Sequence, residues 1–588
     1  MNAQNIYQKE ERIIIYLISF LYLITLSNYI YTGFATNDDY QYFCRYFNDE
    51  NVWKESYEYA KMNGRFYFIF MQPLFNILLP YSFGSYLFAK SLNLVVIAIG
   101  VYVMGGNIAR LLKNNTYRNL FHLFFCIFIT IKGSNNPIIS YPLYFSTSWL
   151  FFQISIQYFL KFKEKNVVSA KYLSLLFYLF SLLFYEIYVV LSIIFLGISY
   201  LYLPKYSKNW IERLKFIFKT NLPILCVILI YITVYYVFKK NFSSQAYEGV
   251  NVSNNFSISS FFTAILMLSK GGLPLHLYFS GHGVYENCSY ILGGHIQSLI
   301  NPIINIKKEW LFKSVIVGTA FILIANNHKI STIKFNKTSI ILISLGLSLI
   351  FLPHVLLALT PKYQMYTSMG MDYYITTYFS ALFIYIFLSV LISPIFLIKS
   401  SPMRKAAIAI FTVIFMWSSV LIDYSNYHAK TDLMKIYNFI VALNELTESS
   451  NFNKISEKDI IIAPSLYKVN SDISYYNCCD FDMSPYFKTR MHNNIRVVKD
   501  STLAVNYPIS NIYRLDYNAY SNGYYFMLST YDKSYLFIKS TRPNELFVYK
   551  HNNNLTSQKI FLENKKEINF YQLDKHSDDN FGVVGNNY

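Results

Sequence analysis

Apolar stretches long enough to cross a lipid bilayer recur along the chain from Ile13 to Tyr424 and then stop. A transmembrane helix needs roughly 17–25 predominantly apolar residues, and most of these stretches reach that length. Charged residues make up 14% of the chain, whereas about 25% is usual for a soluble protein. The sequence therefore predicts a mainly α-helical protein that crosses a membrane many times.

The last part of the chain has a different character. After Lys430 the acidic and basic residues nearly cancel, and strand-like runs such as Asp459–Pro464 and Tyr524–Leu528 are separated by Asn, Gly and Pro. A helical segment, Asp432–Leu446, precedes them. We predict a membrane domain over residues 1–428 and a soluble α+β domain over residues 429–588.

Lys and Arg are concentrated between the apolar stretches, and the chain has a net charge of +18. Such clusters mark the cytoplasmic loops of membrane proteins. They lie at Lys9/Arg12, Arg110/Lys113/Arg118, Lys161–Lys171, Lys205–Lys219, Lys329–Lys337 and Lys399–Lys405. Placing all of them in the cytoplasm predicts about eleven spans in an inner (plasma) membrane, with the N-terminus inside and the C-terminal domain outside. No basic helix or zinc-ligand spacing accompanies the charge, so we expect no nucleic-acid partner.

Residues 172–203 form one apolar run between two basic flanks. Both flanks are cytoplasmic only if the run crosses the membrane twice, which predicts a hairpin with Tyr185 and Glu186 at its outer tip. An acidic residue within such a run is a candidate functional group. A single tilted helix with Glu186 in mid-membrane is the alternative.

The predicted outer surface carries the other polar groups that could take part in chemistry. Asp38 and Asp39 follow the first span; adjacent carboxylates repel each other and are candidates for a general base, and capping the end of the span is the alternative. Arg65 follows a glycine that permits a sharp turn, and its guanidinium either binds a phosphate or reaches the headgroups. Lys362 and Tyr363 follow a span that ends outside, where they suit either a lipid phosphate or interfacial anchoring.

Several common site patterns are missing from the sequence. It has no Walker loop and no Ser/His/Asp arrangement. His276, His282 and His295 share one predicted outer loop without a ligand spacing, and the six cysteines show none either. We predict no metal site and no bound cofactor; a divalent metal at the histidines is the alternative.

The layout resembles that of the GT-C membrane glycosyltransferases, and most of all the bacterial O-antigen glucosyltransferases of the serotype-converting type. The resemblance covers roughly residues 10–425. It rests on many spans, an outer C-terminal domain, the acidic pair after the first span, Gly64-Arg65, the Tyr185-Glu186 tip and Pro361-Lys362-Tyr363. It implies an enzyme that moves a sugar, glucose or another hexose, from a polyprenyl-phosphate carrier to lipopolysaccharide O-antigen or another lipid-linked glycan of the cell envelope.

The same resemblance implies roles and partners. Asp38 or Asp39 would take the proton of the acceptor hydroxyl, and Arg65 and Lys362 would hold the lipid phosphate. The implied substrate-binding residues are Arg65, Tyr185, Glu186, Lys362 and Tyr363. The implied partners are membrane lipid, the lipid-linked sugar and the glycan acceptor, with a flippase and a donor-synthesising membrane enzyme as further candidates.

Two other classes of protein fit parts of the pattern. A transporter or flippase of lipid-linked glycans would need polar groups along a path through mid-membrane. A glycan polymerase or ligase of another membrane fold would have its essential residues in late outer loops rather than in the first one.

Overall fold

A computed structural model of the chain describes most of the helical part and separate stretches of the C-terminal part. In the helical part it covers residues 3–46, 52–131, 133, 135–203, 209–242, 257–280, 296–327, 337–398 and 400–448. Beyond residue 448 it covers 452, 455, 459–467, 484, 487, 495–498, 512–520, 523–529, 533–540, 546–552, 557–560, 569–574 and 579–585.

The described part before residue 449 is almost entirely helical. Its α-helices are α1 (Ala3–Ser27), α2 (Asn37–Tyr46), α3 (Val52–Asn63), α4 (Tyr86–Leu112), α5 (Asn115–Phe128), α6 (Tyr144–Lys165), α7 (Val168–Leu182), α8 (Ile187–Leu191), α9 (Ile193–Leu201), α10 (Trp210–Phe242), α11 (Ile258–Gly271), α12 (His276–Ser280), α13 (Ile296–Ile304), α14 (Lys308–Asn326), α15 (Lys337–Phe351), α16 (Val355–Ala358), α17 (Pro361–Ser368), α18 (Ile375–Ile392) and α19 (Ser401–Glu448). Short 3₁₀ or π turns lie at Phe66–Ile69, Pro73–Leu78, Leu352–His354 and Ser393–Leu397.

Five described helices are long and apolar enough to cross a membrane, and a bent pair makes a sixth if it counts as one span. The five are α4, α10, α14, α18 with its extension to Leu397, and α19 over Ser401–Thr431. The bent pair joins Ser344–Ala358 to α17 at an angle of 113°. The other predicted spans coincide with helices that are shorter or more polar; α1, for example, is apolar only from Ile13 onward. The mainly α-helical membrane protein is thus confirmed, and the number of eleven spans stays a prediction.

The apolar run 172–203 is broken where the hairpin interpretation places its tip. Helix α7 ends at Leu182 and α8 begins at Ile187. The chain folds back there, because the rings of Tyr178 and Phe195 lie 5.3 Å apart and the Tyr178 hydroxyl donates to the backbone oxygen of Tyr188 at 3.0 Å. A single straight helix over this run is therefore not formed.

The chain divides into two compact units. The first comprises residues 1–30 and 53–430, and the second comprises residues 31–52 and 431–588. The main boundary lies close to the predicted one after residue 428. The difference is the short segment 31–52, which contains Asp38 and Asp39: it groups with the C-terminal residues, where the Gly33 N–H donates to the Leu433 carbonyl at 2.9 Å.

The second unit contains a short helix, α20 (Pro464–Tyr467), and strands arranged in two sheets. The strands are β1 (Ile460–Ile462), β2 (Arg496–Val498), β3 (Ile512–Tyr520), β4 (Gly523–Ser529), β5 (Lys533–Ser540), β6 (Leu546–Asn552), β7 (Ser557–Ile560), β8 (Asn569–Asp574) and β9 (Asp579–Gly585). The larger sheet has the order β2-β1-β3-β4-β5-β8, and the smaller one has the order β7-β6-β9. Strand β1 pairs in parallel with β2 and β3, and the other pairs are antiparallel.

Candidate functional site

Arg65 is positioned by the turn that ends helix α3. Gly64 has a positive φ of 65°, a conformation that favours glycine. The N–H groups of Gly64 and Arg65 donate to the carbonyls of Lys61 and Ala60 at 3.2 and 3.0 Å, the bonding pattern of a Schellman C-cap. The predicted sharp turn at Gly64 is confirmed, and it fixes the backbone from which the Arg65 side chain extends.

Arg65 pairs with Glu186, a residue far away in the sequence. Nε of Arg65 lies 2.9 Å from Oε1 of Glu186, and the two side chains are only 17% and 18% exposed. Burial works to lower the pKa of Arg65, but the Glu186 carboxylate together with Tyr67, Tyr235 and Tyr363 outweighs this effect, so that the pKa is raised. Arg65 therefore stays positively charged at a largely buried position.

Glu186 stands at the break between α7 and α8. Helix ends leave backbone groups without intrahelical partners. Here the Tyr144 hydroxyl donates to the backbone carbonyl of Phe184 at 2.8 Å. The Tyr185 ring packs edge-on against Phe145, with ring centroids 5.2 Å apart. These contacts hold the tip of the hairpin, and with it the Glu186 carboxylate, in a defined position.

Arg65, Tyr185 and Glu186 line one open pocket of about 710 Å³ within the first unit. One part of its wall is apolar, formed by Ile187 and by side chains of the segment 353–359. Hydroxyl groups contribute the rest: the pocket is also lined by Tyr235, Thr360 and Thr376. The structure thus brings together three of the predicted substrate-binding residues.

Lys362 and Tyr363 lie at the start of α17, just beyond the lining residues Leu359 and Thr360. Tyr363 is buried and donates its hydroxyl hydrogen to the Tyr374 hydroxyl at 2.9 Å. Lys362 is partly buried, with its Nζ 5.6 Å from the centre of the Tyr366 ring. Neither residue is part of the pocket lining, so the structure places this segment next to the pocket rather than in its wall.

The two carboxylates of the acidic pair differ in their surroundings within the second unit. Asp39 is completely buried, and its Oδ2 accepts the N–H groups of Ala35 and Thr36 at 3.3 Å each. The Asp39 N–H in turn donates to the Thr36 hydroxyl at 3.1 Å. This is the reciprocal arrangement of a capping box at the start of α2. Asp38 is partly exposed.

Two tyrosines near the Arg65–Glu186 pair were not predicted from the sequence. The hydroxyls of Tyr67 and Tyr231 are buried and have no hydrogen-bond partner in the described part of the chain. The charges of Arg65 and Glu186 both act on the hydroxyl groups of these two tyrosines. Burial raises the pKa of Tyr67, so its hydroxyl keeps its proton and can act as a donor.

Two further pairs of polar side chains are buried in the first unit. Nζ of Lys313 lies 2.7 Å from Oδ1 of Asp423, and their side chains are 2% and 5% exposed. His276 Nε2 lies 2.5 Å from Asp372 Oδ2. His282 and His295 lie outside the described residues. Among the residues that the structure describes, no three His, Cys, Asp or Glu side chains form a group that could hold a metal ion.

Comparison with known proteins does not assign the chain to a family. No protein-family model matches it, and no curated protein has a significantly similar sequence.

The turn at Gly64 can be tested by stability. Gly64→Ala is expected to destabilise the protein by about 1–2 kcal/mol, because an L-residue is strained in the left-handed region. Gly106 in α4 is a matched control, since an added Cβ there would meet nothing within 4 Å. Thermal unfolding in detergent should show a lower Tm for Gly64→Ala and an unchanged or higher one for Gly106→Ala. An unchanged Tm for Gly64→Ala would contradict the positive φ.

Proposed function

We propose that this chain is a GT-C-like membrane glycosyltransferase. It moves a hexose from a polyprenyl-phosphate carrier to a glycan acceptor, such as an O-antigen or another lipid-linked glycan, on the extracytoplasmic face. The observation that carries the proposal is the pocket lined by Arg65 and Glu186. It combines a fixed cation, an apolar wall and several hydroxyls, and these match the phosphate, the lipid and the sugar of such a donor.

The surroundings of the Arg65–Glu186 ion pair fit a site at which a bound ligand replaces Glu186 as the partner of Arg65. A buried hydroxyl without a partner costs about 1–3 kcal/mol, and the Tyr67 and Tyr231 hydroxyls both lack a partner among the residues that the structure describes. When a donor phosphate takes the place of Glu186 at the Arg65 guanidinium, the released carboxylate is proposed to accept hydrogen bonds from these hydroxyls. Binding an anionic ligand therefore supplies hydrogen bonds that are missing from the protein alone.

The resemblance to GT-C glycosyltransferases implies the following reaction. The acceptor oxygen bonds to the anomeric carbon of the sugar while the bond from that carbon to the phosphate oxygen breaks. Polyprenyl phosphate leaves with the electron pair, and Arg65 stabilises its developing charge. A carboxylate takes the proton of the acceptor hydroxyl. The resemblance assigns this base to the acidic pair, and we assign it to Asp38 because Asp39 is buried in its capping box. Lys362 is proposed to add positive charge beside the pocket.

The proposed compartment depends on the eleven-span topology, which reporter fusions test. A reporter that is active only outside the cytoplasm should work when fused after Asn51, Asn254 or Asn451 and fail after Lys165, Ser207 or Lys334, because the basic clusters set the orientation. Of these positions only Lys165 lies within the described residues. A cytoplasmic signal at Asn451 would contradict the proposed outer C-terminal domain.

A transporter of lipid-linked glycans is the second candidate, and one observation favours it. The buried Lys313–Asp423 pair lies within two helices that are apolar enough to span the membrane, and charged groups within membrane-spanning helices are often functional. A glycan profile of cells with and without the gene separates the two functions. Loss of a transferase should leave shorter glycans that lack a particular hexose. Loss of a transporter should remove the whole glycan from the outer face.

A further inference from the structure

A second large groove lies in the first unit, between helices α1, α4 and α5. Its open volume is about 1020 Å³, and it is lined by Ile15, Leu23 and Ile99 together with Tyr102 and Arg118, among others. Ile15, Leu23, Ile99 and Tyr102 are between 40% and 69% exposed. In a membrane protein, apolar side chains exposed at this depth face lipid. None of these residues belongs to the Arg65 pocket.

The polar end of the groove is formed by Arg118. Its Nη2 donates to Glu11 Oε1 at 2.7 Å and its Nε donates to Asn119 Oδ1 at 3.3 Å. Glu11 also accepts from the amide groups of Asn119 and Asn327 at 3.4 Å each. These bonds fix the orientation of the guanidinium. Within the described residues, the Nη1 group has no hydrogen-bond partner and remains available to a ligand oxygen.

The charge and the length of the groove suit one leaflet of a bilayer. Arg12, Arg110 and Lys113 belong to the same two basic clusters as Arg118, which mark the cytoplasmic side. From Glu11 to Leu23, helix α1 rises about 18 Å at 1.5 Å per residue. Half of a bilayer core is roughly 15 Å. A lipid with its phosphate at Arg118 would therefore place its acyl chain along the apolar part of the groove.

We propose that this groove binds an anionic phospholipid of the cytoplasmic leaflet, with the phosphate on Arg118 and an acyl chain between α1 and α4. Basic pockets between transmembrane helices on this side of the membrane are suited to such headgroups. The groove stands apart from the Arg65 pocket, and the two proposals share only the assignment of the basic clusters to the cytoplasm.

Native mass spectrometry of the full chain, purified with phosphatidylglycerol or phosphatidylcholine, tests this site. The wild type should retain one phosphatidylglycerol in preference to phosphatidylcholine, and Arg118→Gln should lower retention about fivefold, the effect of one basic residue near an anionic headgroup. Arg110→Gln is the matched control. Arg110 pairs with Glu164 at 2.7 Å and is not part of the groove lining, so its replacement should leave retention unchanged.

A second variant addresses the apolar part of the groove. Ala98 lies in its wall, and Ala98→Phe should exclude the acyl chain and lower retention while every charge is kept. If Arg118→Gln does not fold, Ala98→Phe alone tests whether the groove binds the phospholipid. Equal retention of the two lipids by the wild type, an equal loss in Arg110→Gln, or retention of polyprenyl phosphate in place of phosphatidylglycerol would each overturn the proposal.

Discussion

Asp38→Asn is expected to lower sugar transfer by roughly 100- to 10,000-fold, the usual effect of removing a general base. The amide keeps the shape of the side chain and cannot take a proton from the acceptor hydroxyl. The protein should still accumulate in the membrane at the wild-type level, because Asp38 is partly exposed. Transfer is measured as label incorporated from a lipid-linked hexose into glycan, divided by the amount of protein.

The neighbouring residue provides the matched control. In Asp39→Asn the amide oxygen can still accept the N–H groups of Ala35 and Thr36, so transfer should remain near the wild-type level. Asp39→Ala removes the cap and should cost about 1 kcal/mol of stability, seen as a lower Tm. Near-normal transfer in both Asn variants would contradict a base in this loop, and loss in Asp39→Asn alone would reverse the assignment.

Arg65→Gln is expected to lower sugar transfer by about 100- to 1,000-fold, the range found when one group that stabilises a developing oxyanion is removed. The leaving phosphate would lose a cation fixed by the Gly64 turn and by Glu186. Arg65→Lys should retain part of the activity, because an ammonium supplies the charge without the planar fork of donors. The measurement is the same incorporation of label.

Removing Arg65 alone leaves a half-buried carboxylate without its partner, so loss of folding must be separated from loss of function. The double variant Arg65→Gln/Glu186→Gln keeps the pair neutral and should accumulate normally but remain inactive. The matched control is Arg110→Gln/Glu164→Gln, which neutralises an ion pair outside the pocket lining and should change transfer less than about twofold, as expected for a surface pair. Substantial transfer by the Arg65 double variant would contradict the proposed site.

Much of the helical architecture could be predicted from the sequence, because local patterns determine it. Apolar length predicted spans over Ser85–Ala109 and Tyr374–Ile398, and the structure has helices over Tyr86–Leu112 and Ile375–Ile392. The charge of the two flanks predicted the break near Tyr185 in an otherwise uniform apolar run. Gly64 indicated a turn whose positive φ the structure shows. Each of these features depends on residues close together in the chain.

The parts of the site that could not be predicted depend on packing between distant segments. The chain has 56 tyrosines, so nothing in the sequence distinguishes Tyr67, Tyr231 or Tyr235 from the others. The contact between Arg65 and Glu186 requires the hairpin tip to meet the end of α3, which no sequence pattern specifies. The capping role of Asp39 is different, since its spacing from Thr36 is a recognisable local signal. The alternative considered from the sequence was a cap at the end of the first span, whereas the structure shows a cap at the start of α2.

The grouping of residues 31–52 with the C-terminal part also escaped prediction. Hydropathy places this segment as a loop after the first span, and the hydrogen bond from Gly33 to Leu433 shows one of its contacts with the C-terminal residues. Pairings across such sequence distances depend on the three-dimensional arrangement of the chain. They are invisible to composition and periodicity.

The central claim is that the Arg65 pocket uses a polyprenyl-phosphate hexose as sugar donor. The most direct measurement uses membranes from cells that carry the wild-type gene, no gene, or the Arg65→Gln/Glu186→Gln variant, so that the native acceptor is present. Radiolabelled polyprenyl-phosphate glucose, and then other hexoses on the same carrier, are added and the label in envelope glycan is counted. We expect incorporation with the wild type and none above background with the other two. Incorporation that is equal in all three membranes, or absent from the wild type for every hexose, would contradict the account.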